Sequence, residues 1–271
     1  MRSIAILTDF GTSDVYNGIM EGVIRNLCPE ARVNYLSPDV RSWSLYSGTY
    51  LLFSSYKYYP KNTVFLVVVD PGVGTRRRAI VVKTKNYIFV GPDNGVLYPA
   101  VSEDGIVEAY EITNRRLFLS KEISYTFHGR DIFSPVAALL ACKVKPNVVG
   151  SRIDPDQLVK LNLTEHYVEG SRLRARVVHI DKFGNVALSV RPRSLVLGER
   201  AKVTVKEKSF VALTARTFGE VVKGERLLYI NSFGFLEIAT NQGNLAEELG
   251  VSEGDEACIE PYSLVDSNRY T

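Results

Sequence analysis

Asp70 ends the apolar run Val64-Phe65-Leu66-Val67-Val68-Val69 and is followed by Pro71-Gly72-Val73-Gly74-Thr75-Arg76-Arg77-Arg78. A carboxylate with guanidinium groups in reach can form a charge-assisted pair over a pocket. Such a pair can orient a polar substrate or a water molecule. The same residues also fit a surface loop with a solvated basic run. Asp9 closes a second apolar run, Ile4 to Leu7, within Thr8-Asp9-Phe10-Gly11-Thr12-Ser13-Asp14. Asp14 in that loop suits either a ligand contact or the cap of a following helix. The sequence has only 3 histidines. His166 lies among polar connector residues, where surface placement is expected, and His179 lies on an expected strand, where a hydrogen-bonded structural role is expected. His128 lies in Thr126-Phe127-His128-Gly129-Arg130-Asp131, which leads into an expected helix. It is either structural or part of the edge that carries Asp9 and Asp70. No cluster has metal-ligand spacing, no Gly-x-x-x-x-Gly-Lys loop occurs, and Gly72-Val73-Gly74 is too short for a dinucleotide fingerprint.

These side chains need elements to hold them. Val64 to Val69 is short, unalternating and stopped by Pro-Gly, which reads as a central strand covered on both faces. In open α/β sheets, ligands bind beyond the C-terminal ends of such strands, where Asp9 and Asp70 fall. Ile4 to Leu7 and Ala31 to Leu36 read as strands, and Tyr16 to Leu27 and Trp43 to Tyr58 as helices. Ala79 to Val82, Tyr87 to Val90 and Ile106 to Ile112 read as further strands, and Ile132 to Cys142 as a helix. Asp93-Asn94-Gly95 is strong turn chemistry. Alternating strands and helices predict a three-layer α/β domain with a mostly parallel sheet. The pattern changes near Leu161. Leu173 to Val177 alternates apolar and charged residues, and short strands follow at Val186 to Val190, Lys202 to Val205, Phe210 to Leu213, Leu227 to Ile230 and Leu236 to Ile238. Only Leu245 to Leu249 looks helical there. This predicts an antiparallel β-barrel or sandwich, with Pro146 to Gly170 as the connection. The expected domains are 1–160 and 161–271.

Composition narrows the function classes. The 271 residues are 45% hydrophobic and 23% charged, as in ordinary globular proteins. A net charge of +3 gives no argument for nucleic acid as a partner. No stretch is long enough for a membrane span. The apolar start, Met1 to Leu7, is short for a signal peptide and is stopped by Asp9. Cys28, Cys142 and Cys258 are scattered and odd in number, so a reducing compartment is expected rather than a disulfide framework. The expectation is a soluble cytoplasmic protein. Few Cys and Met beside many Lys, Arg, Glu and Tyr hint at a hot environment.

Six segments occur in a telling order: Thr8-Asp9-Phe10-Gly11, Asp70 to Thr75, Gly91-Pro92-Asp93-Asn94-Gly95, Thr126 to Asp131, Asp181-Lys182-Phe183-Gly184-Asn185, and Asn231-Ser232-Phe233-Gly234. Taken singly, the last two read as hairpin turns. As a series they resemble the S-adenosyl-L-methionine (SAM) hydroxide adenosyltransferases, also called SAM hydrolases (adenosine-forming), which are relatives of fluorinases and chlorinases. The resemblance covers nearly the whole chain. It implies an N-terminal α/β domain, a C-terminal β-barrel domain, and a homotrimer with sites between subunits. It implies the reaction of SAM with water to adenosine and L-methionine, with SAM as substrate and no cofactor or metal. By this resemblance the catalytic set is Asp70, Arg77 and His128. Asp9 is the ribose carboxylate and Trp43 the pocket aromatic. Asp14, Asp181 and Ser232 meet the methionine part, and Asn185 the adenine. Phe233 is a departure, because some halogenating relatives carry an Arg there that helps hold the methionine carboxylate.

The implied chemistry suits these residue types. A sulfonium leaves as a neutral thioether and needs no general acid. The reaction lacks a nucleophile, so water must be aligned with C5′ and relieved of a proton, or hydroxide must be bound. A carboxylate can accept from that water, while an adjacent Arg fixes the carboxylate and lowers its basicity. Base catalysis by Asp70 and hydroxide positioning with His128 both remain open on sequence. Three other readings compete. A SAM-dependent halogenase would need a small neutral niche for halide, which Asp70 would spoil. A non-catalytic adenosyl-nucleotide sensor would leave Asp70, Arg77 and His128 superfluous. A phosphohydrolase using Arg76 to Arg78 as an anion clamp would lack metal ligands.

Overall fold

The structure is a computed structural model that describes residues 3–192 and 198–262. The chain divides into two compact units, Met1–Leu161 and Asn162–Thr271. Within the first unit the strands are β1 (Ser3–Thr8), β2 (Arg32–Ser37), β3 (Val64–Val68), β4 (Ala79–Thr84), β5 (Ile88–Pro92), β6 (Ile106–Glu111) and β7 (Arg152–Ile153). Its helices are α1 (Tyr16–Leu27), α2 (Leu45–Ser55), α3 (Tyr98–Asp104) and α4 (Ser134–Ala141). The strands form one sheet in the order β2-β1-β3-β5-β4-β6-β7. β2, β1, β3 and β5 run parallel, while β4, β6 and β7 pair antiparallel.

The period of two in each strand sorts the side chains onto two faces. Ile4, Ile6, Val64, Leu66 and Val68 pack with Met20 and Ile24 of α1 and Val136 and Leu140 of α4. Ala5, Leu7, Phe65 and Val67 pack with Leu52 of α2 and Ala100 and Val101 of α3. The sheet is therefore covered on both faces, and every residue of β3 is buried, which explains its unbroken apolar run. The helix expected from Trp43 begins two residues later. Ser44 is its N-cap, and its hydroxyl accepts from the Ser47 N–H at 3.2 Å. The helix expected from Ile132 is preceded by one π turn, Gly129–Phe133.

One expectation is corrected. Cys28 and Cys142 form a disulfide across 114 residues of sequence. Cys28 directly follows α1 and Cys142 directly follows α4, and these two helices pack side by side in the same core. Sequence spacing hides this pair because the meeting is made by the fold. Cys258 is a free thiol.

The second unit contains β8 (His166–Glu169), β9 (Arg172–Ile180), β10 (Val186–Leu188), β11 (Arg200–Val205), β12 (Lys208–Thr214), β13 (Arg226–Ile230), β14 (Leu236–Thr240), β15 (Glu256–Pro261) and helix α5 (Leu245–Leu249). The order β10-β14-β13-β12-β11-β15-β9 closes on itself through a β9–β10 pairing, and β8 adds to the outside of β9. The result is a seven-stranded barrel, antiparallel except between β12 and β13. Closure removes the exposed edges of these seven strands. Alternation sends Val177, Val186, Leu188, Val203, Leu228, Leu236 and Ile238 to one core, and Leu245, Ala246 and Leu249 of α5 pack into it. The Asn244 side chain accepts from the Glu247 N–H at 3.1 Å to start α5, and Gly250 ends it at φ 66°.

Candidate active site

Two adjacent parallel strands deliver the first two acids. Thr8 of β1 lies in register with Val68 of β3, so Asp9 and Asp70 leave the sheet at the same edge. Asn94 of the Gly91–Gly95 turn donates to the Val69 carbonyl at 2.9 Å and so fastens the backbone just before Asp70. The Thr8 hydroxyl donates to Asn17 Oδ1 at 2.7 Å, and Asn17 Nδ2 donates to the Gly11 carbonyl at 2.7 Å. These bonds pin the loop that follows Asp9. Asp9 Oδ2 accepts from the Trp43 N–H at 2.8 Å. Trp43 adopts φ 61°, an uncommon conformation for a residue with a side chain, and is 75% exposed. Burial pushes the Asp9 carboxyl above its ordinary value, the Trp43 N–H opposes this, and the charge of Asp70 adds to it. Asp14 is exposed in the same loop. The N-cap of α1 is Val15, with no side-chain bond, so Asp14 does not serve as the cap.

Asp70, Arg77 and His128 meet directly. Arg77 Nε donates to both Asp70 oxygens at 3.0 Å, and its Nη2 donates to Oδ2 at 2.5 Å. The two side chains are only 9% and 5% exposed. Arg77 Nη2 also lies 2.8 Å from His128 Nδ1. A guanidinium has no lone pair to offer, so Nδ1 is the acceptor. His128 is then neutral with its proton on Nε2. Burial, and secondly the charge of Arg77, hold the imidazole below its ordinary value, while Asp70 and Asp131 pull weakly the other way. His128 immediately precedes the π turn, a feature common at functional sites. Phe133 on that turn lies 5.2 Å below the Arg77 guanidinium.

The three arginines have separate fates. Arg78 binds Asp93 at 2.6 Å, and Arg76 is exposed. Arg77 and Arg78 are thus committed to different carboxylates, which removes the basis for a joint anion clamp. Gly74 holds φ 77°, and a Cβ there would lie 2.4 Å from the Tyr125 carbonyl oxygen, so this loop needs glycine. A cleft of about 810 Å³ opens beside the set, lined by Arg77, His128, Glu111, Arg115, Lys121 and Tyr125 among others. Asp9 and Asp70 do not line it.

In the second unit, Asp181 organises its turn. Oδ1 accepts from the backbone N–H groups of Phe183 and Asn185 at 2.9 Å, and Oδ2 accepts from Asn185 Nδ2 at 2.9 Å. Ser232 is exposed at the tip of the β13–β14 turn. There Asn231 Oδ1 accepts from the N–H groups of Phe233 and Phe235 at 3.0 and 3.1 Å. Hairpin turns are therefore present at both motifs. Asn231 Nδ2 donates at 2.6 Å to Glu237, which is 7% exposed. Sequence reasoning passed over Glu237, although a carboxylate inside Leu236-Glu237-Ile238-Ala239 is the visible signal. His179 has its pKa pushed down to about 4 by burial, in keeping with a structural role. His166 is exposed on β8, with Nδ1 2.9 Å from the Thr164 carbonyl. Among the described residues no group of three or more His, Cys, Asp or Glu could hold a metal ion, and no helix is long and apolar enough to cross a membrane.

An α/β unit with an Asp–Arg–His set at its sheet edge, and a barrel unit with two polar turns, define the protein as a two-domain α/β-plus-barrel enzyme. Comparison with known proteins makes this particular. The SAM hydroxide adenosyltransferase N-terminal domain matches residues 4–150, and the C-terminal domain of the same family matches residues 175–258. The chain belongs to the SAM hydroxide adenosyltransferase family. An (R)-S-adenosyl-L-methionine hydrolase of Salinispora tropica is 38% identical over 93% of this chain and 95% of its own length. A crystal structure of a Thermotoga maritima protein superposes with a TM-score of 0.85 at 40% identity, covering 94% of this chain and 99% of that one. A fluorinase of an Actinoplanes species is more distant, 25% identical over 93% of this chain and 95% of its own length.

Proposed function

We infer that this enzyme hydrolyses S-adenosyl-L-methionine to adenosine and L-methionine. The Asp70–Arg77–His128 set carries the reading. Both Asp70 oxygens and His128 Nδ1 already accept from Arg77, so the set is built to hold a nucleophilic oxygen. The neutral imidazole offers Nε2–H to that oxygen. A water hydrogen-bonded to Asp70 attacks C5′ in line and gives up its proton through Asp70 to solvent, the C5′–S bond breaks, and its electron pair stays on sulfur as a neutral thioether. A halide at this place would meet the Asp70 carboxylate, which argues against halogenation. Reaction in oxygen-18 water is expected to place the heavy oxygen in the 5′-hydroxyl of adenosine and none in methionine. Substrate made chiral at C5′ with deuterium is expected to react with inversion. Unlabelled adenosine, or no adenosine at all, would sink the proposal.

In this reading Asp9 accepts from the ribose hydroxyls and Trp43 walls the pocket. Asp14, Asp181 and Ser232 meet the methionine part. One Asn185 Nδ2 hydrogen goes to Asp181, and Oδ1 with the second Nδ2 hydrogen can meet the adenine edge. SAM is substrate, and the reaction calls for no cofactor, metal, nucleic acid or membrane. The assembly is a homotrimer, each site formed by the N-terminal domain of one subunit and the C-terminal domain of its neighbour. Light scattering is expected to give three times the 30.3 kDa chain mass, and a fully active monomer would refute the shared site. We place the enzyme in the cytoplasm of a heat-adapted organism. The disulfide fits that combination because intracellular disulfides occur in hyperthermophiles, although it removes the cysteine argument for a reducing compartment.

A further inference from the structure

Glu237 is a buried acid that the reaction above does not use. It lies on β14, with Tyr229 of β13 on one side and Ala187 of β10 on the other, and His179 of β9 is in register beyond Ala187. Strict alternation puts these four on the outer face of the barrel, because Leu236 and Ile238 face the inner core. The Glu237 carboxylate accepts from the Tyr229 hydroxyl and, at 2.6 Å, from Asn231 Nδ2. Both donors are neutral. Among the described residues no Lys, Arg or His pairs with it, and the charge that acts on it, Asp181, has the same sign. The Arg191 guanidinium lies over the Phe235 ring, 5.3 Å from its centroid. A buried carboxylate held by neutral donors is costly, and an apolar side chain would fill this strand position more cheaply.

Its bond to Asn231 has a direct consequence. With Nδ2 given to Glu237, Asn231 must aim Oδ1 at the Phe233 and Phe235 N–H groups, and that fixes the turn that displays Ser232. The substrate brings a sulfonium and an α-ammonium, both cationic. We propose that Glu237 is a positioning residue for the amino-acid half of the substrate: it sets the Ser232 turn through Asn231, and its charge draws the substrate's cationic end to that turn. The proposal rests on the reading that Ser232 and Asp181 meet the methionine part.

The test compares KM for SAM, kcat, and the dissociation constant of adenosine, which lacks the amino-acid half. Glu237→Gln keeps the shape: the amide oxygen still accepts from Asn231 and the Tyr229 hydroxyl turns to accept from the amide nitrogen. It is expected to raise KM about tenfold, with kcat within threefold and adenosine binding unchanged. In the parent enzyme, KM is expected to rise as pH falls through the Glu237 titration. Burial and Asp181 hold that titration above the ordinary carboxylate range, against the pull of Tyr229 and Asn231, while His179 stays neutral. Glu237→Gln should abolish the inflection. Tyr229→Phe, which removes one donor, should move it to higher pH and serves as the second variant if Glu237→Gln does not fold. An unchanged KM in Glu237→Gln, or an inflection that Tyr229→Phe leaves in place, overturns the proposal. Ser232→Ala and Asp181→Asn locate the failure. If they raise KM and Glu237→Gln does not, only the role of Glu237 is wrong. If they leave KM unchanged, the methionine part does not bind at this end of the barrel and the proposal falls with that reading.

Discussion

Asp70→Asn is expected to lower kcat by about 10²- to 10⁴-fold while KM for SAM changes little. The carboxylate is held on three hydrogen bonds from Arg77, and the amide can keep only part of them. Arg77 then keeps its charge at 9% exposure without its counter-ion and no longer lies where His128 needs it. His128→Ala should fall in the same range, since on the proposed mechanism it removes the Nε2–H offered to the attacking oxygen. Asp9→Ala should behave oppositely. If Asp9 accepts from the ribose hydroxyls as proposed, its loss costs about 1–3 kcal/mol, read as roughly tenfold weaker adenosine binding by calorimetry. The pH profile adds a check. His128 is held below the ordinary imidazole value of 6.5 and is therefore neutral above it. As pH falls through its lowered pKa it gains a proton, Nδ1 can no longer accept from Arg77, and two cations face each other. The acid limb of kcat should thus lie below 6.5 and vanish in His128→Ala. A loss of kcat under tenfold in Asp70→Asn would end the catalytic assignment.

The second large effect concerns the disulfide. Breaking the Cys28–Cys142 link frees a loop of about 114 residues, and the chain-entropy account puts this at about 4–5 kcal/mol, with about 2–5 typical of measured losses. The Cys28→Ser, Cys142→Ser double variant should lower the unfolding transition of the first unit by about 10 °C. A reducing agent should do the same to the parent enzyme, since Cys142 is exposed. The second unit has no disulfide among its described residues, and its transition should not move. Thiol titration should find one reactive cysteine in the oxidised protein and three after reduction. An unchanged transition in the double variant would show that helix packing alone holds α1 to α4.

Much of this was legible from residue order. Val64 to Val68 has no polar residue, so its place in the sheet centre followed, and with it the edge position of Asp70. The barrel was legible as short alternating runs, though β15 was missed despite the alternation in Glu256-Ala257-Cys258-Ile259. α3 was missed because it has only seven residues and opens on Tyr98-Pro99. Which arginine pairs with Asp70 was readable only through the resemblance, which pointed to Arg77, because Arg76, Arg77 and Arg78 are chemically identical and the loop before β4 decides which one turns inward. The tautomer of His128 depends on a partner 51 residues away. Glu237 was hidden by the habit of reading a strand for its apolar face. The cysteine pair was hidden because nothing local marks two helix ends as neighbours.

The sequence spans of the site contacts bear on synthesis. Asp70 and Arg77 are 7 residues apart, but β5 lies between β3 and β4 in the sheet, so the frame of their pair is complete only once residues to Pro92 are out. The Asp9–Trp43 contact spans 34 residues and lies wholly upstream. His128 joins across 51 residues, and Cys142 closes across 114. A chain emerging from the ribosome therefore has Asp9 and Asp70 at its sheet edge before it has the imidazole. Until residues beyond His128 are out, the Asp70–Arg77 pair lacks its third member. On the proposed shared site, the barrel turns at Asp181 and Ser232 come later still, so hydrolysis is expected only after the chain is complete and assembled.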